Sequence, residues 1–183
     1  MSTANGQVNW AFFAGSAVTS TATVTDDLVF FGVSEVMYAM YRTNATTMWK
    51  CATKGQITGA PAVSSDGRSL FFGSTDTYVY GFNDVYDTTC LPSGTTTSSC
   101  LSQVHVSKHM DVNRTGCASW WLSPTNIAVS NALTLDESNN RLLLATEASP
   151  PEESSIVSVQ LGAGACCRAS VSVREPRWVA LPP

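Results

Sequence analysis

Asp66, Asp76 and Asp136 are the first residues to ask for chemistry, because carboxylates that a fold brings together can act as bases or hold a cation. Their local sequence assigns them another task. Each stands in a short polar turn, SSDGR, STDTY or LDESN, where Asp accepts hydrogen bonds from neighbouring backbone N–H groups. His105 and His109, with Cys100 and Cys117 nearby, are zinc-ligand types, but they lack the closely spaced Cys-x2–4-Cys pair of structural zinc sites. No Gly-x-Ser-x-Gly elbow is present, and Gly162-Ala163-Gly164 opens no dinucleotide fingerprint because Cys167 takes the place of the third glycine. The residues predict no catalytic group, no metal site and no cofactor site.

The chain of 183 residues carries six cysteines. Cys90 and Cys100 bracket the polar loop LPSGTTTSS and are placed for a disulfide in an oxidising compartment, while Cys51, Cys117, Cys166 and Cys167 show no partner in the sequence. The sequons at Asn44 and Asn113 tilt the same way, toward a secreted or lumenal protein. The first ten residues, MSTANGQVNW, have neither the basic flank nor the apolar stretch of a signal peptide, and no apolar run approaches the roughly 18–20 residues of a spanning helix. A net charge of −4 supplies no basic field for nucleic acid. Charged residues make up only 13%, about half the usual share, which with the abundant Thr, Ser and Gly favours strands and turns.

An internal repeat organises those strands. Trp10 and Trp49 are related by a shift of 39 residues that also lays Val18 on Ile57, Ala22 on Pro61 and Val24 on Val63. Beyond a small insertion, Phe30-Phe31-Gly32 falls on Phe71-Phe72-Gly73, and Tyr38-Ala39-Met40 on Tyr80-Gly81-Phe82. A further copy follows at a shift of 72, with Trp121 on Trp49, Val129 on Ile57, Leu142 to Leu144 on Leu70 to Phe72, and Ala145 on Gly73. The copies run from about 10 to 45, 49 to 83 and 120 to 161, with an insertion at about 84–110. Each holds runs of four to six Val-, Phe-, Tyr-, Thr- and Leu-rich residues between tight polar turns, so antiparallel strands are expected and long helices are not. A unit of about 40 residues and four strands has the size of a propeller blade.

The second copy resembles the pyrroloquinoline quinone (PQQ)-like repeat: Pro-Ala-Val, an Asp-Gly turn, Leu-Phe-Phe-Gly-Ser, an Asp, then Tyr-Val-Tyr-Gly-Phe. This repeat builds the eight-bladed propellers of the quinoprotein alcohol dehydrogenase-like and BamB-like families. Their docking pattern sets Ala ten residues before Trp with Thr-Gly between. Ala39 precedes Trp49 by ten, with Asn44-Ala45 in place of Thr-Gly, and Thr115-Gly116 precede Trp120 at the family spacing, with Met110 in place of Ala. Asn5-Gly6 before Trp10 is similar to the same turn. The resemblance covers about residues 5–161 less the insertion. It implies an all-β, partial β-propeller of about three four-stranded PQQ-like blades, with Trp10, Trp49 and Trp120 or Trp121 as structural docking residues between blades. A quinone enzyme of this family needs a base and a cation site converging on the axis, and no such set maps onto this chain. Cys166-Cys167 is similar to the family's vicinal cysteine pair but lies outside any blade pattern.

Closed propellers have about four to eight blades, so about three would leave end faces open. The expected partners are therefore the remaining blades or another protein chain. The expected function is a non-catalytic repeat module with a protein-binding or scaffold surface, likened to a fragment of a larger propeller; the alternative is a partial piece of a PQQ-dependent dehydrogenase, with PQQ bound only in the parent. Residues 162–183, where the repeat stops and three of the ten basic residues gather, are expected to form a disordered tail.

Overall fold

LVFFGV at residues 28–33 is buried at every position. A strand with one wet face would alternate, so this one is covered on both sides. The computed structural model describes residues 6–82, 84–86, 98–99, 119–120, 128–146, 155–161 and 170–171. Among them the chain forms three sheets, antiparallel throughout except where Ser98–Ser99 joins the first. The first contains β1 (Thr23–Val24), β2 (Leu28–Val33), β3 (Val36–Tyr41) and β4 (Thr47–Ala52) as consecutive neighbours, with β8 (Ser98–Ser99) beyond β4. The second orders β5 (Ala62–Val63), β6 (Leu70–Gly73), β7 (Val79–Phe82) and β9 (Ser119–Trp120). The third orders β10 (Thr134–Asp136), β11 (Arg141–Thr146), β12 (Ser155–Gln160) and β13 (Ser170–Val171).

Equivalent residues hold equivalent registers. Phe30 pairs with Ala39, Phe71 with Gly81 and Leu143 with Ser158, so at this equivalent position a large side chain of the inner strand stands opposite a small residue of the next. Alternation along the strands then sorts side chains between two seams. Leu28, Phe30, Met37, Ala39, Trp49 and Cys51 of the first sheet pack against Ile57, Leu70, Phe72 and Val85 of the second. Ala62, Phe71 and Val79, from the opposite face of the second sheet, pack against Val129, Leu133, Leu142 and Leu144 of the third. Large apolar side chains fully buried in these seams, such as Phe30 and Phe72, each stabilise the fold by about 1.5–3 kcal/mol.

Close approach at each seam depends on a glycine. A Cβ at position 32 would stand 2.8 Å from Ile57 Cγ2, and one at position 73 would stand closer still to Val129 Cγ1. Ile57 and Val129 are thus β-branched knobs seated on the previous sheet's glycine.

Three features depart from the sequence expectation. The first sheet has a fifth strand, because Ser98 and Ser99 of the expected insertion pair in parallel with Cys51 and Ala52 and cover an edge that would otherwise expose unpaired backbone groups. Within the expected disordered tail, Ser170 and Val171 pair with Gln160 and Val159. The first sheet's outer face is open only in part: Val29, Phe31, Val33 and Met40 are covered by Trp10, Phe12 and Ala14, with Phe12 set edge-on to Phe31 at 6.0 Å, while Val18 and Val24 stay exposed. Residues 10–14 alternate inward and outward as an extended segment, yet join no sheet among the described residues.

Sequence copy and sheet are also out of phase by one strand. Trp49, which opens the second copy, lies on the last long strand of the first sheet, and Trp120 lies on the last strand of the second.

Candidate functional site

The turns at one end of the sheets gather five carboxylates. Asp27, Asp66, Asp84, Asp136 and Glu137 lie there, linked by contacts that run from sheet to sheet. The Tyr86 hydroxyl donates to Asp27 Oδ2 at 3.3 Å, Arg68 Nη2 meets Asp84 Oδ2 at 2.5 Å, and the Ser65 hydroxyl donates to Glu137 Oε2 at 2.6 Å. The Ser65 backbone N–H also donates to Glu137. The Arg68–Asp84 pair is exposed, so water and salt screen it and it contributes little to stability.

The three candidate acids are each engaged locally. Asp66 accepts from the Ser64 hydroxyl at 2.5 Å and the Arg68 N–H at 3.0 Å, in a turn whose Gly67 has φ 73°. Those two donors, in that order, hold its carboxyl below the ordinary 3.8. Asp136 is lowered in the same way by the Ser138 hydroxyl and then the Asn139 side chain, at 2.7 and 2.8 Å. Asp76 lies on the opposite end and ties two sheets, accepting from Lys54 N–H at 2.9 Å, Tyr78 N–H at 3.2 Å and the Tyr80 hydroxyl at 2.7 Å. Burial, and then that bond to Asp76, push the Tyr80 phenol far above its ordinary 10.0. A carboxylate whose acceptor sites are filled by its own turn orders backbone.

The tryptophans reach across the seams. Trp49 is buried and donates its indole N–H to the Val85 carbonyl of the second sheet at 2.8 Å, with its ring stacked on Phe82 at 4.9 Å. Trp10 donates in the same manner to the Arg42 carbonyl at 2.7 Å from its half-buried place on the N-terminal segment. Register distinguishes the two remaining candidates: Trp120 is the Cα partner of Gly81 as Trp49 is of Ala39, and Trp121 lies outside the described residues.

A set of hydroxyls escaped the reading of the sequence. Thr19 Oγ1 donates to the Ile57 carbonyl and Thr58 Oγ1 to the Ser130 carbonyl, each at 2.7 Å, so the segment leading into one sheet clips the segment leading into the next at both joints. The signal was available, because the shifts of 39 and 72 lay Thr19 on Thr58 and Thr58 on Ser130. Cys51, for which the sequence offers no partner, is disulfide-bonded and fully buried. It is the one cysteine among the described residues, so its partner lies outside them, as do Cys90, Cys100, Cys117, Cys166, Cys167, His105 and His109. Among the described residues no group of three or more His, Cys, Asp or Glu could hold a metal, and no helix is long and apolar enough to cross a membrane.

No protein-family model matches the chain, and no curated protein matches it in sequence. Solved structures do. BamB from Moraxella catarrhalis superposes with a TM-score of 0.54 at 11% identity, covering 91% of this chain and 40% of that one. The Cps50 (Swd1) β-propeller domain of Myceliophteria thermophila superposes with a TM-score of 0.51 at 12% identity, covering 86% and 44%. The fold is a partial β-propeller. Its three sheets are blades, the seams are blade interfaces, and the chain spans less than half the length of these two propellers.

Proposed function

We propose that the chain is a non-catalytic propeller module of the PQQ-like repeat type, three blades of a ring that further blades complete, and that its turn-rich end presents a surface to another protein. The carrying observation is the engagement of Asp66, Asp76 and Asp136 by their own turns and seams, which spends the candidate acids on architecture. Trp10, Trp49 and Trp120 serve as docking residues between blades, a role supported by the two matching indole-to-carbonyl bonds and by the register of Trp120. The Cys51 disulfide supports a secreted or lumenal address, where such bonds persist.

Reconstitution of the purified chain with PQQ and calcium, followed by absorbance after desalting, tests the reading against a dehydrogenase piece. No quinone is expected to be retained. Stoichiometric, calcium-dependent retention with alcohol-dependent dye reduction would overturn it. Cross-linking of a partner complex is expected to mark the turns at Ser64–Arg68 and Glu137–Asn140; links confined to the strand edges would refute that surface.

A further inference from the structure

The three blades are related closely enough for each joint to be compared position by position. At both internal joints the earlier blade offers a socket: the glycine at 32 or 73, and beside it the paired residue Met37 or Val79, which are 0% and 1% exposed. The later blade inserts a knob, Ile57 or Val129, both 0% exposed. The third blade carries a shallower version of this socket, with a methyl where the others have none, and none of the described residues seats a knob in it. Ala145 stands at the glycine position, paired with Ile156, and Ile156 is 77% exposed. The first blade carries the knob with nowhere to go, since Val18, at the place of Ile57 and Val129, is 58% exposed.

The hydroxyl ladder stops at the same place. Ser130 stands third after Thr19 and Thr58, and its Oγ is the one buried side-chain N or O atom without a hydrogen-bond partner among the described residues. Exposed large apolar side chains also concentrate at the ends of the stack, with Val8, Phe13, Val18 and Val24 at one and Ile156 at the other. One chain therefore holds both halves of an unmade joint.

We infer that a second copy of this chain docks head to tail, the Val18 end of each copy entering the Ala145–Ile156 face of the other. This rests on the propeller-module reading and supplies further blades from a second copy. Two such joints close a symmetric pair. The pair contains six blades, inside the range of about four to eight seen in closed propellers.

Sedimentation velocity of the 183-residue chain is expected to give a species of twice 19.5 kDa. Val18→Asp and Ile156→Asp both alter side chains exposed in the single chain, so the far-ultraviolet circular dichroism is expected to stay unchanged while each weakens pairing roughly tenfold or more. Mixing the two variants restores association, because one joint then unites an intact knob with an intact socket. A folded monomer at about 100 µM, roughly a hundredfold above a micromolar dissociation constant, overturns the pairing and leaves the module reading standing, whereas quinone retention defeats that reading alone. Failure of the mixture to recover, or growth into open filaments, overturns the closed head-to-tail pair.

Discussion

Replacing Trp49 separates how much of a blade joint is ring packing and how much is the indole hydrogen bond. Trp49 is 4% exposed, and the roughly 150–250 Å² that a Trp buries corresponds at about 25 cal/mol per Å² to about 4–6 kcal/mol. Compaction of the unfolded chain lowers this by roughly 10–40%, so Trp49→Ala is expected to cost about 3–5 kcal/mol. Trp49→Phe retains a ring to stack on Phe82 but removes the donor to the carbonyl of Val85, a residue only 1% exposed, and costs about 1–3 kcal/mol. The control is Trp10→Phe. It removes an indole bond of the same kind, at 2.7 Å, but the Arg42 carbonyl it releases belongs to an exposed residue that water can reach, so the loss stays under about 1 kcal/mol. Urea unfolding followed by far-ultraviolet circular dichroism measures all three. Equal effects of Trp49→Phe and Trp10→Phe, or a Trp49→Ala loss below about 1 kcal/mol, would show that burial at the seam does not set the strength of the joint.

Gly32→Ala and Gly73→Ala each force a Cβ into the neighbouring blade's knob and are expected to destabilise by about 1–3 kcal/mol in the same urea assay, with Val129→Ala relieving only the second. Tyr80, whose phenol is raised by burial and by Asp76, favours its protonated form when folded. Its contribution is therefore complete below pH 10.0 and lost as the pH rises further, and Tyr80→Phe should flatten that alkaline limb of stability. Asp66 and Asp136 are lowered, so their contribution is present above pH 3.8 and disappears as the pH falls through their folded values; Asp66→Asn should reduce the acid sensitivity of unfolding. Non-reducing peptide mapping should find Cys51 cross-linked, and Cys51→Ala should lower stability by about 2–5 kcal/mol under oxidising conditions.

The inner strands were legible because their burial writes itself into residue type twice over. Phe30-Phe31-Gly32 and Phe71-Phe72-Gly73 are apolar on both faces, and the repeat shift aligns them with Leu143 to Ala145, so the strands and their recurrence could be read from spacing. Turn acids were legible for a local reason, since Asp66 and Asp136 find their donors within three residues. What stayed hidden is held by distant parts of the chain. Ser98-Ser99 and Ser170-Val171 carry little strand propensity, and an edge strand of two residues is defined by the neighbour it covers. Phe12 lies before the first recognisable strand, and only the folded first blade shows that it and Trp10 cover Val29 and Phe31. The disulfide of Cys51 needs a spatial neighbour that spacing cannot supply.

The one-strand offset between sequence copy and sheet has a consequence for how such a chain can change length. Residues 49–83 bring Trp49 to finish the first blade and three strands to begin the second, which Trp120 of the following copy finishes. Excising that whole segment would let Trp120 finish the first blade in Trp49's stead, because both stand opposite a small residue, Ala39 or Gly81. Duplication or loss of a copy cut at the tryptophan thus alters the number of blades without leaving any of them a strand short. Ring size in a chain of this kind can therefore change by whole units.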